Sequence, residues 1–184
     1  CDKLFIRDLD RCYYMFGISK SSPSILNLTN LISRYVRSKQ YENVITLGAS
    51  SGGFGALLYG NLIGADYMIA FNPQTTLDVE KDTIIKDNIF AVDTCKMLRD
   101  ANKYDQFYRK CLNLRNFIPF SGEAVIHFSS YSYHGIDKRY AEYLQHKNCI
   151  IKAHESSTHL LALELKEKGT LIAEIVESMR SKEK

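Results

Sequence analysis

No C-x-x-C pair and no cysteine/histidine spacing of the zinc type occurs in these 184 residues. The five cysteines, Cys1, Cys12, Cys95, Cys111 and Cys149, are widely spaced and odd in number. That excludes a fully paired disulfide framework and suits reduced thiols in a cytoplasmic protein. The formal net charge is only +3, and no basic cluster accompanies it, so a nucleic-acid partner is not indicated. No apolar run approaches the ~18 residues of a membrane span, and the start lacks a signal-peptide pattern. No motif calls for a cofactor, and none calls for a metal. Residue 1 is Cys rather than Met, which is compatible with a missing N-terminal segment or with association with a larger protein.

What is present suits one globular domain: 45% of residues are apolar and 24% charged. The most informative stretch is Val44 to Tyr59, VITLGASSGGFGALLY. A short β-branched apolar run, Val44 to Leu47, breaks into glycine and serine and resumes as a helix from Phe54. Strand, tight turn and helix form the context in which Gly48-Ala49-Ser50-Ser51-Gly52 reads as a G-x-S-x-G nucleophile turn. A turn this sharp strains its central residue and lifts Ser50 Oγ clear of the sheet. Gly48 and Gly52 are expected to be glycine because a side chain would collide with the neighbouring element, and Gly53 to let the helix sit close on the sheet. The backbone N–H of Ser51, at a helix N-terminus, is the expected oxyanion donor. A glycine-rich βα turn that binds a phosphate, or simply turns, is the duller alternative.

Along the chain, Leu4-Phe5-Ile6 reads as a short buried strand ending at Arg7-Asp8. An aromatic, irregular segment follows to Ser22. Ser22-Pro23 opens a helix, with Ile25, Leu28, Ile32, Tyr35 and Val36 at helical spacing. Tyr67 to Phe71 is the next strand, closed by Asn72-Pro73. From Gln74 to Gly122 the periodicity weakens, and two short helices fit around residues 94–101 and 105–112. A long insertion of this kind reads as a lid or cap within the single domain. Strands return at Ala124 to Phe128 and Cys149 to Ala153, and helices at Lys138 to Lys147, Leu160 to Lys168 and Leu171 to Met179. Strands thus alternate with helices five times, which predicts an α/β fold: a mostly parallel sheet with helices on both faces.

Chemistry in such sheets collects at the carboxyl ends of the strands. Ser50, Asp137 and His159 each fall just beyond one. A serine hydroxyl is a weak nucleophile until a histidine takes its proton, and that histidine needs an acid to hold its tautomer. These three residues can fill the three roles. Each has competitors. Asp137 could be a helix cap, with Glu123 and Glu155 as the other candidate acids. His159 competes with His154, at a strand end, and His134, on the loop before Asp137. His127 alternates within a strand and reads as structural, and His146 as solvated.

On these residues the chain resembles the α/β-hydrolases. Val44 to Leu47 is similar to their nucleophile strand and Gly48 to Gly52 to their nucleophile elbow; the acid and the histidine follow the last two strands. The phrasing FIRD…YYMFG…GASSGGFGALLYG…FNPQ resembles hydrolase-like proteins found with bacterial surface-polysaccharide genes. Leu4 to Asp8 resembles the strand before the family's second helix. About three strands that precede it in the family have no counterpart, and with them goes the loop that donates the second oxyanion N–H. The resemblance therefore implies a fold that is reduced or truncated. The resemblance implies a serine esterase or deacylase acting through an acyl-enzyme on a small-molecule or carbohydrate ester. An acyltransferase with the same triad, or a non-catalytic hydrolase-like module of a larger protein, is the alternative.

Overall fold

The computed structural model describes residues 1–17, 24–78, 91–101, 105–132 and 135–180. Four strands form one sheet: β1 (Ile45–Ala49), β2 (Tyr67–Phe71), β3 (Glu123–Ser129) and β4 (Cys149–His154). They lie side by side in chain order, and every neighbouring pair is parallel. A parallel neighbour cannot be reached by a hairpin, so the chain must cross over between strands, and helices fill the crossovers. The described helices are α1 (Ile25–Arg37), α2 (Ser51–Ile63), α3 (Val92–Ala101), α4 (Gln106–Cys111), α5 (Ile136–Tyr143), α6 (Leu161–Glu167) and α7 (Leu171–Met179), with a 3-10 turn at Leu114–Phe117.

The pleat sorts side chains between two cores. Met68 and Ala70 of β2, with Ala124, Ile126 and Phe128 of β3, face the larger core, which also holds Leu28, Phe54, Leu57 and Leu58. Ile69 and Phe71 face the opposite side, where Leu161, Leu165, Leu171, Ile175 and Met179 cover them. α2 is apolar on all sides because it lies between the sheet and α1, and Gly53 through Gly60 are all buried. Helices therefore cover both faces, as the alternating pattern predicts.

The expected first strand does not form. Leu4 is 51% exposed and Phe5 89% exposed, and residues 1–8 join no ladder. A strand needs a neighbour for its N–H and C=O groups; the sheet ends at β1, whose Ile45 and Leu47 are themselves exposed. The segment is tied to the next turn instead: Tyr14 N–H donates to Asp8 Oδ2 at 2.9 Å, and Tyr14 Oη to the Ile6 carbonyl at 3.4 Å. Among the described residues the alternation is thus of four strands rather than five.

Other boundaries shift for local reasons. Ser22 and Pro23 lie outside the described residues; α1 is capped by Ser24, whose Oγ accepts from Asn27 N–H at 3.2 Å. α5 starts earlier and stops sooner than residues 138–147, after Gly135 in the left-handed region at φ +72°. The described parts of the 74–122 stretch are better anchored than its sequence suggests. Cys95 and Leu98 of α3, Tyr108 and Cys111 of α4, and Leu77, Leu112 and Leu114 are buried in the larger core. The i, i+3 pairs in α3 and α4 are one-turn stripes, too short for periodicity to reveal.

Candidate active site

The site is assembled at the carboxyl ends of β1, β3 and β4. Ser50 stands between β1 and α2 with φ +53° and ψ −124°, a conformation that non-glycine residues rarely adopt. Its N–H donates to the Phe71 carbonyl at 2.9 Å, and its carbonyl accepts from Gly53 N–H at 2.9 Å and Phe54 N–H at 3.1 Å. The main chain is thereby held in the turn while the side chain stays half-buried. A Cβ on Gly48 would lie 2.0 Å from the Gly52 carbonyl oxygen, so β1 and α2 could not meet as they do. Gly53 is also close-packed, with a Cβ 3.0 Å from Pro73 Cβ. Gly52 differs from expectation: a Cβ there would meet only Tyr14 Oη, at 3.9 Å. Ser51 is the first residue of α2, so its N–H is among those a helix start leaves without an intrahelical acceptor.

Asp137 and His159 converge on Ser50. His159 Nε2 lies 2.9 Å from Ser50 Oγ, and His159 Nδ1 lies 2.9 Å from Asp137 Oδ1. Ser132 Oγ donates to the other carboxylate oxygen, Oδ2. A carboxylate can only accept, so Nδ1 carries the hydrogen and Nε2 is left to accept from the serine hydroxyl. Asp137 is 1% exposed and His159 36% exposed at the side chain. Asp137 does not cap its helix: Gly135 occupies that position, and the carboxylate turns to His159.

The described competitors lie elsewhere. Glu123 opens β3, at the end of the sheet away from Ser50, and Glu155 is exposed. His134 is outside the described residues. His154 and His127 face each other, with His127 Nδ1 2.9 Å from His154 Nε2. Burial, then the neighbouring His154 and Lys152, push the His127 imidazole down to about 3, and burial lowers His154 as well. His146 pairs with Asn148 Oδ1 at 2.6 Å.

Four residues at the site carried no motif. Asn72, fully buried at φ +43°, donates from Nδ2 to the His159 carbonyl at 2.9 Å and the Thr158 carbonyl at 3.3 Å. Its Oδ1 accepts from Ser129 N–H at 2.8 Å, and Ser129 Oγ donates to the Thr158 carbonyl at 2.7 Å. The loop that carries His159 is therefore pinned to the ends of β2 and β3. Ser132 orients Asp137. Gln74, also buried, brings its amide oxygen to 3.4 Å from Ser50 Oγ. The one signal for Asn72 and Gln74 was position, directly after a strand that ends in Asn-Pro.

No protein-family model matches the chain, and no curated protein matches it significantly. Solved structures do. An α/β-hydrolase enzyme from the metagenome of sediments of the Mar Chica lagoon, Morocco, is 16% identical with a TM-score of 0.54, over 90% of this chain and 75% of that one. The capsule O-acetyltransferase of Neisseria meningitidis serogroup A is 19% identical with a TM-score of 0.54, over 88% of this chain and 68% of that one. The Francisella virulence factor BioJ is 14% identical with a TM-score of 0.58, over 86% of this chain and 60% of that one. This chain's four-stranded parallel sheet clothed by helices, together with that likeness at low identity, gives it the α/β-hydrolase fold in a reduced form.

Proposed function

We propose that the protein is a serine hydrolase of the esterase or deacylase type. The observation that carries this reading is the chain of contacts from Ser50 Oγ to His159 to the buried Asp137, each step 2.9 Å long. Ser50 Oγ attacks an acyl carbonyl while His159 Nε2 takes its proton. Asp137 holds the Nδ1–H tautomer and stabilises the imidazolium that forms. The Ser51 N–H supports the oxyanion from the positive end of α2. The imidazolium then returns its proton to the leaving alcohol as the acyl-enzyme forms. Water attacks the ester on Ser50 with His159 again as base, which releases the acid. The loop at Gln74 borders the entrance, a reading supported by the contact of Gln74 with Ser50.

The fold likeness to a capsule O-acetyltransferase favours a second reading, in which a sugar hydroxyl replaces water as the acceptor. Both share the acyl-enzyme, and both suit an acylated carbohydrate. The test is labelling with a fluorophosphonate probe, mapping of the modified residue, and release of acetate from acetylated oligosaccharides with and without an acceptor sugar. Labelling at Ser50 with acetate release supports the hydrolase. Labelling with acetyl transfer and little free acetate supports the transferase. No labelling at Ser50 overturns both and leaves a hydrolase-like module without chemistry.

A further inference from the structure

A second cluster of reactive side chains lies on the other side of the sheet, under α7. His127 of β3, His154 of β4 and Glu174 of α7 bring three ligand atoms, Nδ1, Nε2 and a carboxylate oxygen, within 4.8 Å of one another. His127 Nδ1 is 2.9 Å from His154 Nε2 and 3.8 Å from Glu174 Oε2. With metal–nitrogen bonds of about 2.0–2.1 Å and tetrahedral angles, neighbouring donors stand roughly 3.3 Å apart. The two measured separations bracket that value and the third pair, His154 and Glu174, stands within 4.8 Å, so side-chain adjustment would bring all three onto one ion.

The hydrogen bonding around His127 aims its lone pair into the cluster. Ser178 Oγ donates to the Glu174 carbonyl at 2.7 Å. Having spent its proton there, it accepts from His127 Nε2–H at 2.9 Å. Nδ1 is then the unprotonated nitrogen, the ligand form; without an ion it accepts from His154 Nε2–H at 2.9 Å, and an ion takes the place of that hydrogen as His154 shifts to its Nδ1–H tautomer. A serine that fixes the tautomer of a buried histidine is the kind of outer partner that metal-binding histidines have. Phe71 stacks on the ring with centroids 4.5 Å apart, so the ring cannot easily turn away. His127 is fully buried, whereas the Glu174 side chain is 25% exposed, which leaves a way in for an ion. The positive charge nearest in register is Lys152, paired across the ladder with His127, and its ammonium faces Glu177 at 3.4 Å.

We propose that His127, His154 and Glu174 form a binding site for one divalent transition-metal ion of the zinc class, joining β3, β4 and α7. Two imidazoles and a carboxylate suit zinc, and a water would complete four-coordination. The site is separate from Ser50, and its test does not read ester cleavage.

The full chain, stripped with a chelator, is titrated with zinc chloride and with cobalt chloride, in parallel with a Cys1→Ser protein because Cys1 is an exposed thiol. The expected result is one equivalent bound in both proteins, a rise in melting temperature, and a cobalt spectrum without thiolate charge-transfer intensity. Glu174→Gln, on a partly exposed helix position, should weaken binding at least tenfold, and Ser178→Ala should weaken it roughly 10–100-fold. His154→Gln is the second ligand variant. Sub-stoichiometric binding, a thiolate signature, or an unchanged affinity in Glu174→Gln would each overturn the proposal.

Discussion

Two serine–histidine pairs sit on this sheet with the same separation. Ser50 Oγ is 2.9 Å from His159, and Ser178 Oγ is 2.9 Å from His127. They are not chemically equivalent. Asp137 accepts from the far nitrogen of His159, so the near nitrogen is free to take the serine proton. Ser178 has given its proton to a main-chain carbonyl and accepts from His127, whose far nitrogen faces another imidazole. His127 is fully buried, and its imidazole is held neutral far below the usual histidine range. His159 is partly open and has a carboxylate to stabilise its charged form. Proximity of serine to histidine is therefore not enough. The third partner and the direction of the serine hydrogen decide which pair can act as nucleophile and base.

The sharpest way to break this contrast is to remove each serine in turn. Ser50→Ala should lower turnover of an activated ester by roughly 10⁶-fold while the far-ultraviolet circular dichroism stays unchanged. Ser178→Ala should leave turnover within about tenfold of the parent. Equal losses in the two variants would make the pairs functionally alike and refute the distinction. Asp137→Asn should come next, lowering turnover by roughly 10⁴-fold, because the amide presents the wrong tautomer to the serine. A loss there as small as that of Glu155→Gln would mean that another acid holds His159.

Asn72→Ala tests whether the site depends on how the His159 loop is pinned. It removes the donor to the His159 and Thr158 carbonyls, so turnover should fall by up to roughly 10²-fold through misplacement of the base. An effect on KM alone would show that the loop keeps its place without Asn72. The smallest expected effect is on stability in the second pair. Ser178→Ala leaves the buried His127 Nε2–H without its acceptor, a cost of about 1–3 kcal/mol by urea unfolding of metal-free protein. A variant as stable as the parent would show that His127 finds another partner.

Hydrogen exchange separates two further regions. Where α3 and α4 bury Leu98 and Cys111, amides should be protected nearly as well as those of β2. The loop around Gln74 should open more readily if it covers the entrance to Ser50. Uniform protection from residue 74 to 78 and through β2 would make that loop core rather than cover.

Much of this was legible in the sequence wherever local chemistry was decisive. A β-branched run before Gly48-Ala49-Ser50-Ser51-Gly52 can turn in few ways, and the steric clash at Gly48 is written into the residue type. Tyr67–Phe71 and Leu171–Met179 stood out because their apolar runs match one strand and one amphipathic helix. Asp137 and His159 were found by position beyond the later strands, not by any motif of their own. Leu4–Ile6 reads as a strand by composition, yet a strand also needs a neighbour, and composition says nothing about neighbours. Nor could sequence foresee that Asn72, Ser129 and Ser132 would serve the His159 loop and Asp137, since those hydrogen bonds join residues brought together by the parallel register. The sequence by itself determined the tight turn at Ser50, the order of strands and helices from Ile45 onward, and the residue types able to do acyl chemistry. The tertiary structure decided which serine faces which histidine and with what hydrogen-bond direction, because that depends on acceptors supplied by distant parts of the chain.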